Sequence, residues 1–247
     1  MTTPKAPVLI IGARSDMARG IAAQYAKLGH PLQLAARNHD TLERDVADFK
    51  IRYNVDVTAH ECDVTDTASH DAFIEGLPAL PAIAVCAVGV LGDQDADAGD
   101  IKATNQVFDT NFVGPALLLE KLAAKMVELP DATAIVGIGS VAGDRGRGKN
   151  YIYGSAKAGF AAYLSGMRQK YVDSTLQIMT VKPGFVRTAM TAGMETPAPL
   201  TTDADAFAER VVKAQQAGKL VYYDLRWRVL MSVICHVPEP IFKKMKF

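Results

Sequence analysis

The chain has 247 residues, 49% of them apolar and 22% charged, and its 27 basic and 27 acidic side chains cancel to a formal net charge of zero. That length suits one soluble domain with a single sizeable core, and the balanced charge offers no footprint for nucleic acid. Cys62, Cys86 and Cys235 lie far apart without CxxC or metal-ligand spacing, so they read as small buried apolar residues of a reduced intracellular protein with no metal site.

In chain order, "MTTPKAPVLIIGARS" carries only a short apolar run before Gly12, too little for a signal peptide, which predicts a cytoplasmic protein. The patterning predicts strands at 7–13, 31–37, 55–64, 82–88, 133–140, 175–181 and 219–223. Between them it predicts helices at 16–28, 40–52, 67–76, about 102–129, 151–172 and 203–217. Several strands are near-continuous Val, Ile, Leu and Ala, as in a parallel sheet buried on both faces. The uncharged stretch 76–92 contains two prolines and three glycines, so it reads as loop plus buried strand rather than a membrane span. The alternation predicts an α/β chain: a single-domain Rossmann-type doubly wound parallel sheet of about seven strands with helices on both faces. Residues 1–140 would form a cofactor-binding half, 141–218 a catalytic half with a substrate lid, and 219–247 a last strand and an amphipathic tail.

The first strand runs into "IIGARSDMARGIA", a glycine turn opening a helix, where a dinucleotide pyrophosphate can rest on backbone N–H groups and the positive helix end. Candidate cofactor residues there are Gly12, Arg14, Ser15, Asp16 and Met17. Asp16 and Ala18 stand where two further glycines are usual. The second strand ends in Ala36-Arg37 with no acid to bind a free ribose 2′-hydroxyl. Arg14 and Arg37 therefore favour a 2′-phosphate, hence NADP(H), with NAD(H) and two merely solvated arginines as the alternative. Asp63 and Val64 would hold the adenine, and Ala87 and Gly89 would line the cofactor.

Tyr153 and Lys157 in "YIYGSAKAGF" are four apart on a predicted helix, so they share one face. A phenol titrates near ~10, and a lysine beneath it is expected to lower that toward the working range. Ser140, ending the fifth strand, offers a hydroxyl for a substrate carbonyl. Asn111 lies mid-helix, where asparagine is unfavourable, which calls for another role such as holding a water beside the lysine.

Gly12, Asn111, Ser140, Tyr153 and Lys157 in this order, with "CDVTD", "CAVG", "IGSVAGDRG", "YGSAK" and "VKPGFVRTAM", resemble the classical short-chain dehydrogenase/reductase family over essentially the whole chain. The resemblance implies Tyr153 as proton donor to a ketone, Lys157 as its tuner and ribose ligand, Ser140 as carbonyl orienter and Asn111 as anchor of a relay water. It also implies that Pro183, Gly184, Val186 and Thr188 hold the nicotinamide end and the pyrophosphate. A homodimer or homotetramer through helices 102–129 and 151–172 is implied as well.

Three further features bear on the substrate. Arg145, Arg147 and Lys149 in "GDRGRGKN" suit an anion, or are a solvated loop. Segment 187–201, with Met190 and Met194, reads as a lid with an adaptable apolar lining. The tail combines Trp227, Phe242 and Phe247 with Arg226, Arg228, Lys243, Lys244 and Lys246, which suits either peripheral membrane contact or packing on the core. Together with "VGVLGD" and "HVPEPIFKK", these resemble the family branch that reduces decaprenylphosphoryl-2-keto-ribose, a lipid-linked ketone. A soluble reductase of a smaller acyl or steroid-like ketone is the alternative, and a dinucleotide-binding sensor without turnover is a third reading. The acidic run Asp93, Asp95, Asp97, Asp100 reads as a solvated loop.

Overall fold

A computed structural model describes residues 5–245; Lys246 and Phe247 of the predicted tail lie outside the described residues. The first half runs β1 (Val8–Ile11), α1 (Asp16–Lys27), β2 (Leu32–Ala36), α2 (Glu43–Tyr53), β3 (Val57–Glu61), α3 (His70–Glu75), β4 (Ile83–Cys86), α4 (Gln94–Asp97) and α5 (Ile101–Phe108). Then follow α6 (Gly114–Met126), β5 (Thr133–Ile138), α7 (Tyr151–Lys170), β6 (Leu176–Lys182), β7 (Phe185–Arg187), β8 (Thr201–Asp203), α8 (Ala204–Gln216), β9 (Val221–Tyr223), α9 (Leu225–His236) and α10 (Glu239–Phe242).

Seven strands form one parallel sheet in the order β3-β2-β1-β4-β5-β6-β9. The chain starts at β1, builds outward through β2 and β3, then crosses back to lay β4 on the other side of β1. Ile11 thus sits beside Ala35 on one flank and Cys86 on the other. That reversal opens a crevice at the carboxyl ends of the strands, where ligands of such sheets bind. Every β1 side chain is buried. Val8 and Ile10 face a core shared with Tyr25 and Phe207, while Leu9 and Ile11 face one shared with Leu118, Leu122 and Phe160. The period-2 alternation of a strand covered on both faces accounts for this split.

The predicted long helix 102–129 is broken. Between α5 and α6, Asp109–Val113 winds as a π-helical turn. Pro115 follows it and has no N–H to return to the carbonyl of Asn111, so the ordinary register cannot continue through this point. A Cβ on Gly114 would run into the Val64 carbonyl, so only glycine lets the helix abut the loop after β3 here. The patterning also missed the two-stranded sheet of β7 and β8, which ties together both ends of segment 188–200. The acidic run is not merely solvated: Asp93 caps α4 through the N–H groups of Asp95 and Ala96, and Asp100 caps α5 through those of Lys102 and Ala103.

The tail folds back on the body. Trp227 and Met231 of α9 are buried, and the Trp227 ring meets Phe185 edge-on with centroids 5.3 Å apart. The Trp227 indole N–H donates to the Leu200 carbonyl at 2.8 Å. The core-packing reading therefore holds for this face of α9, while Leu225, Val229 and Val233 point outward and are 72%, 59% and 64% exposed. Cys62 and Cys86 are buried as predicted, but Cys235 is only half-buried, because its α9 position borders the surface. Among the described residues no helix is long and apolar enough to cross a membrane.

Candidate active site

Two glycines bring Ser140 to Tyr153. The turn after β5 runs Val141–Gly143, and an added Cβ on Gly143 would lie 2.7 Å from the Ala158 nitrogen, while one on Gly154 would lie 2.8 Å from the Ala142 oxygen. With both Cβ atoms absent, this turn packs directly on the first turns of α7. The Ser140 hydroxyl accepts the Ala142 N–H at 3.1 Å and hydrogen-bonds the Tyr153 phenol.

One helical turn below, the Lys157 ammonium lies 5.9 Å from the centre of the Tyr153 ring. It donates to the carbonyls of Val88 at 3.1 Å and Ile138 at 3.2 Å. Burial draws its pKa down from 10.5 to about 8, with Cys86 acting weakly the other way. The expected depression of Tyr153 by Lys157 is not found in the chain by itself. Burial holds the phenol above its usual value, and only the Ser140 hydrogen bond pulls it down. The ammonium meanwhile donates to two backbone carbonyls, and its hydrogen bonds go there.

Asn111 is fully buried in the π turn. Its amide donates to the carbonyls of Val90 and Val107, each at 2.8 Å, and its oxygen accepts the Val90 N–H at 3.2 Å. It thus fixes the loop leaving β4. A Cβ on Gly89 in that loop would lie 2.9 Å from the Asn111 oxygen and 3.2 Å from the Lys157 nitrogen, so both groups close on one glycine.

A cleft of about 390 Å³ runs over the switch point and is lined by Gly12, Arg14, Ser15, Asp16 and Met17. Arg37, Asp63, Val64, Ala87, Gly89 and Thr188 of the predicted set line it too, whereas Lys157, Pro183, Gly184 and Val186 line the neighbouring cavity. Gly12 has φ +81, a conformation that favours glycine, and an added Cβ would meet Ala87 and Val88 at 3.0 Å. A bare backbone of this kind, opening onto a helix N-terminus, fits a pyrophosphate. Sequence reasoning missed Val90, Thr110 and Ala189 in this lining. The Ala189 N–H donates to Asp16 at 2.7 Å, so the acid in the glycine's place ties the start of α1 to the lid segment.

Beside this cleft opens a cavity of about 1120 Å³ that contains Ser140, Tyr153 and Lys157 in its wall, with Pro183, Gly184 and Val186 alongside. Met190 and Met194 line it, as the lid reading expected, and so does Arg147. Arg145 does not, which corrects its assignment to substrate. Its guanidinium donates to the Cys235 carbonyl at 2.9 Å, pairs with Glu239 at 2.5 Å and lies 4.1 Å from the centre of the Phe242 ring. Arg145 is drawn to the tail because α9 and α10 cover the loop that carries it. Its neighbour Asp144 reinforces the clasp by accepting from Lys182 at 2.5 Å, from the Tyr223 hydroxyl, and from the Cys235 thiol at 3.4 Å. The tail is consequently a wall of the cavity, contributing Trp227, Leu230, Val233, Ile234, Val237 and Met245. Gln94 and Asn150 also line it and were not foreseen. Asn150, standing immediately before the predicted helix, was the one readable signal.

The family model described as short chain dehydrogenase matches residues 6–198. An "uncharacterized oxidoreductase" of Mycobacterium tuberculosis (strain ATCC 25618 / H37Rv) is 34% identical over 248 residues, covering 98% of each chain. Among solved structures, a short-chain dehydrogenase from Sphingobium yanoikuyae in complex with NADPH superposes with a TM-score of 0.80 at 23% identity, covering 98% of this chain and 97% of the other. The bulky-bulky ketone specific alcohol dehydrogenase from Comamonas testosteroni gives a TM-score of 0.78 at 20% identity, with 99% and 96% covered. At such identities these two likenesses bear on the fold.

Proposed function

Because the chain belongs to the short chain dehydrogenase family, we propose that this oxidoreductase reduces a ketone to a secondary alcohol and prefers NADPH to NADH. The observation that carries the proposal is the stack of Ser140, Tyr153 and Lys157 in the wall of a large, mainly apolar cavity adjoining the dinucleotide cleft. Gly12, Ser15, Asp16 and Met17 would hold the pyrophosphate, Arg14 and Arg37 the 2′-phosphate, and Asp63 and Val64 the adenine. Ala87, Gly89, Pro183, Gly184, Val186 and Thr188 would line the nicotinamide half, and Lys157 would reach the ribose. When bound, the reduced nicotinamide supplies the hydride.

Ser140 and Tyr153 would donate hydrogen bonds to the ketone oxygen. As negative charge builds on that oxygen, Tyr153 gives up its proton to it, completing the alcohol. The burial that raises the phenol keeps it protonated until then. Once the phenolate forms, Lys157, 5.9 Å from the ring centre, would set a positive charge beside it, and Asn111 would fix the loop above the lysine.

For the substrate, the apolar tail wall, Met190 and Met194, and the cation Lys149 support a polyprenyl-phosphate-linked 2-keto-pentose of the decaprenylphosphoryl-2-keto-ribose type. The outward row Leu225, Val229 and Val233, flanked by Arg228, Lys243 and Lys244, supports a peripheral position on the cytoplasmic membrane face. The close packing of Trp227 favours the second reading, a smaller soluble ketone. A homo-oligomer would use the outer faces of α5, α6 and α7.

The test is NADPH consumption by the purified chain, offered separately a lipid extract and water-soluble metabolites, with Tyr153→Phe as blank. Oxidation with lipid alone favours the lipid-linked ketone, and oxidation with the soluble fraction alone favours the smaller one. Turnover by Tyr153→Phe equal to wild type would sink the proposal.

A further inference from the structure

Around the start of α7 the cavity wall contains three polar atoms that no protein group satisfies: Gln94 Nε2, Arg147 Nε and Asn150 Oδ1. All three residues line the active-site cavity, and the chain draws them together. The Asn150 N–H donates to the Arg147 carbonyl at 3.1 Å, and Gln94 Oε1 accepts the Ile152 N–H at 3.0 Å. Because a backbone N–H can meet only the oxygen of that amide, the unpaired end of Gln94 is a donor. Asn150 occupies the N-cap of α7 yet makes no side-chain cap bond there, although capping is what asparagine at this position ordinarily does. Arg147 stands between Gly146 and Gly148, and neither glycine has a neighbour within 4 Å of where a Cβ would sit. The backbone on either side of Arg147 is therefore uncrowded. Burial holds the guanidinium pKa below the usual value. Of the acids in the same wall, Asp97 is already accepting the Asp93 N–H at 2.9 Å, and Glu195 is exposed.

Buried polar atoms without partners are rare in folded proteins and mark places where a ligand or water completes the set. Here the incomplete set is two donors, one of them cationic, and one acceptor. An anion would satisfy the donors and leave Asn150 Oδ1 facing another acceptor. A hydroxyl meets both needs through a single oxygen, which accepts and donates. We propose that Gln94, Arg147 and Asn150 form a hydroxyl-recognition subsite that selects an α-hydroxy or polyhydroxylated ketone. Each side chain turns its unpaired atom toward the cavity as the substrate enters. The subsite lies one helical turn ahead of Tyr153, so the recognised hydroxyl belongs near the reacting carbonyl, with the apolar remainder of the molecule along the tail wall. This inference rests on the ketone-reductase reading and names its substrate class.

The test uses binding, so that it does not depend on turnover. Decane-1,2-diol, decan-2-ol and 2-hydroxydecyl phosphate are titrated calorimetrically into the wild type, Arg147→Lys and Gln94→Glu. Arg147→Lys keeps the charge and removes Nε; Gln94→Glu keeps the acceptor for Ile152 and removes the donor. Circular dichroism confirms that each variant is folded. The wild type is expected to bind the diol about tenfold or more tighter than the mono-alcohol, since a site built for a hydroxyl rejects the analogue lacking it. In both variants that preference should shrink to about twofold or less. Equal wild-type affinities, no binding of any probe, or tightest binding of the phosphate retained in Arg147→Lys would overturn the subsite. Selective diol binding by a chain that never oxidises NADPH would sink the reductase reading alone. Indiscriminate binding by an active reductase would sink the subsite alone.

Discussion

Lys157 should leave a readable mark on stability as well as on turnover. It is 3% exposed, and burial brings its pKa from 10.5 to about 8. At 1.36 kcal/mol per pH unit, holding the charged form inside the fold costs about 3 kcal/mol relative to the unfolded chain near neutrality. The native state releases this proton first, near pH 8, and the unfolded chain only near 10.5. The penalty is therefore full below pH 8, and stability from this group climbs as pH rises through 10.5. Lys157→Met keeps the stem and removes the titration. It also strips a donor from the carbonyls of Val88 and Ile138, a loss of about 1–3 kcal/mol each that does not vary with pH. The informative quantity is thus the difference between two curves. In denaturant titrations from about pH 7 to about pH 10, the wild type should gain about 2–3 kcal/mol on the variant. Tyrosines that titrate in this range affect both proteins alike and cancel. Parallel curves would refute the lowered pKa of Lys157 and show that the fold holds its ammonium as well as water does. Turnover by the variant should be lost across the whole range.

Arg37→Asp should lower the NADPH-to-NADH preference in kcat/KM by about tenfold or more, the worth of a charge-assisted phosphate contact; an unchanged ratio would remove Arg37 from cofactor choice. A Cβ on Gly184 would land inside the Trp227 indole, so Gly184→Ala should cost about 1–3 kcal/mol by overpacking and raise Trp227 fluorescence sensitivity to quenchers, which wild-type-like quenching would disprove. Arg145→Ala removes an ion pair, a carbonyl contact and a ring contact at a partly exposed site. A loss of about 1–2 kcal/mol and a thermal midpoint about 2–8 °C lower are expected, with KM rising more than kcat falls. A larger fall in kcat than rise in KM would return Arg145 to the reacting end.

Most of the strands were legible because they are short, nearly uninterrupted apolar runs, and burial on both faces demands that composition; β3, at the sheet edge, is the exception, with Val57 alone buried. Ser140, Tyr153 and Lys157 were legible because helical spacing and strand ends confine where such side chains can meet. Other features depend on contacts that local pattern does not encode. The register break at Asn111 follows from Pro115, whose missing N–H matters only because the helix continues on both sides. The strands β7 and β8 are three residues each, too short for any periodicity. Arg145 reads as a free cation until Glu239, on the last helix, is folded against it. The upward pull on the Tyr153 phenol was not legible either, since spacing places the lysine beneath the ring but does not reveal how deeply the ring is buried.

The closing wall built by α9 and α10 lies beyond residue 198, where the match to the family model ends. Ser140, Tyr153 and Lys157 sit inside the matched stretch together with Gln94, Arg147, Asn150, Met190 and Met194, while the apolar wall from Trp227 to Met245 comes after it. Side-chain exchanges after Tyr223 would therefore resize or repolarise the chamber from one side only, leaving Ser140, Tyr153 and Lys157 where the sheet and α7 hold them.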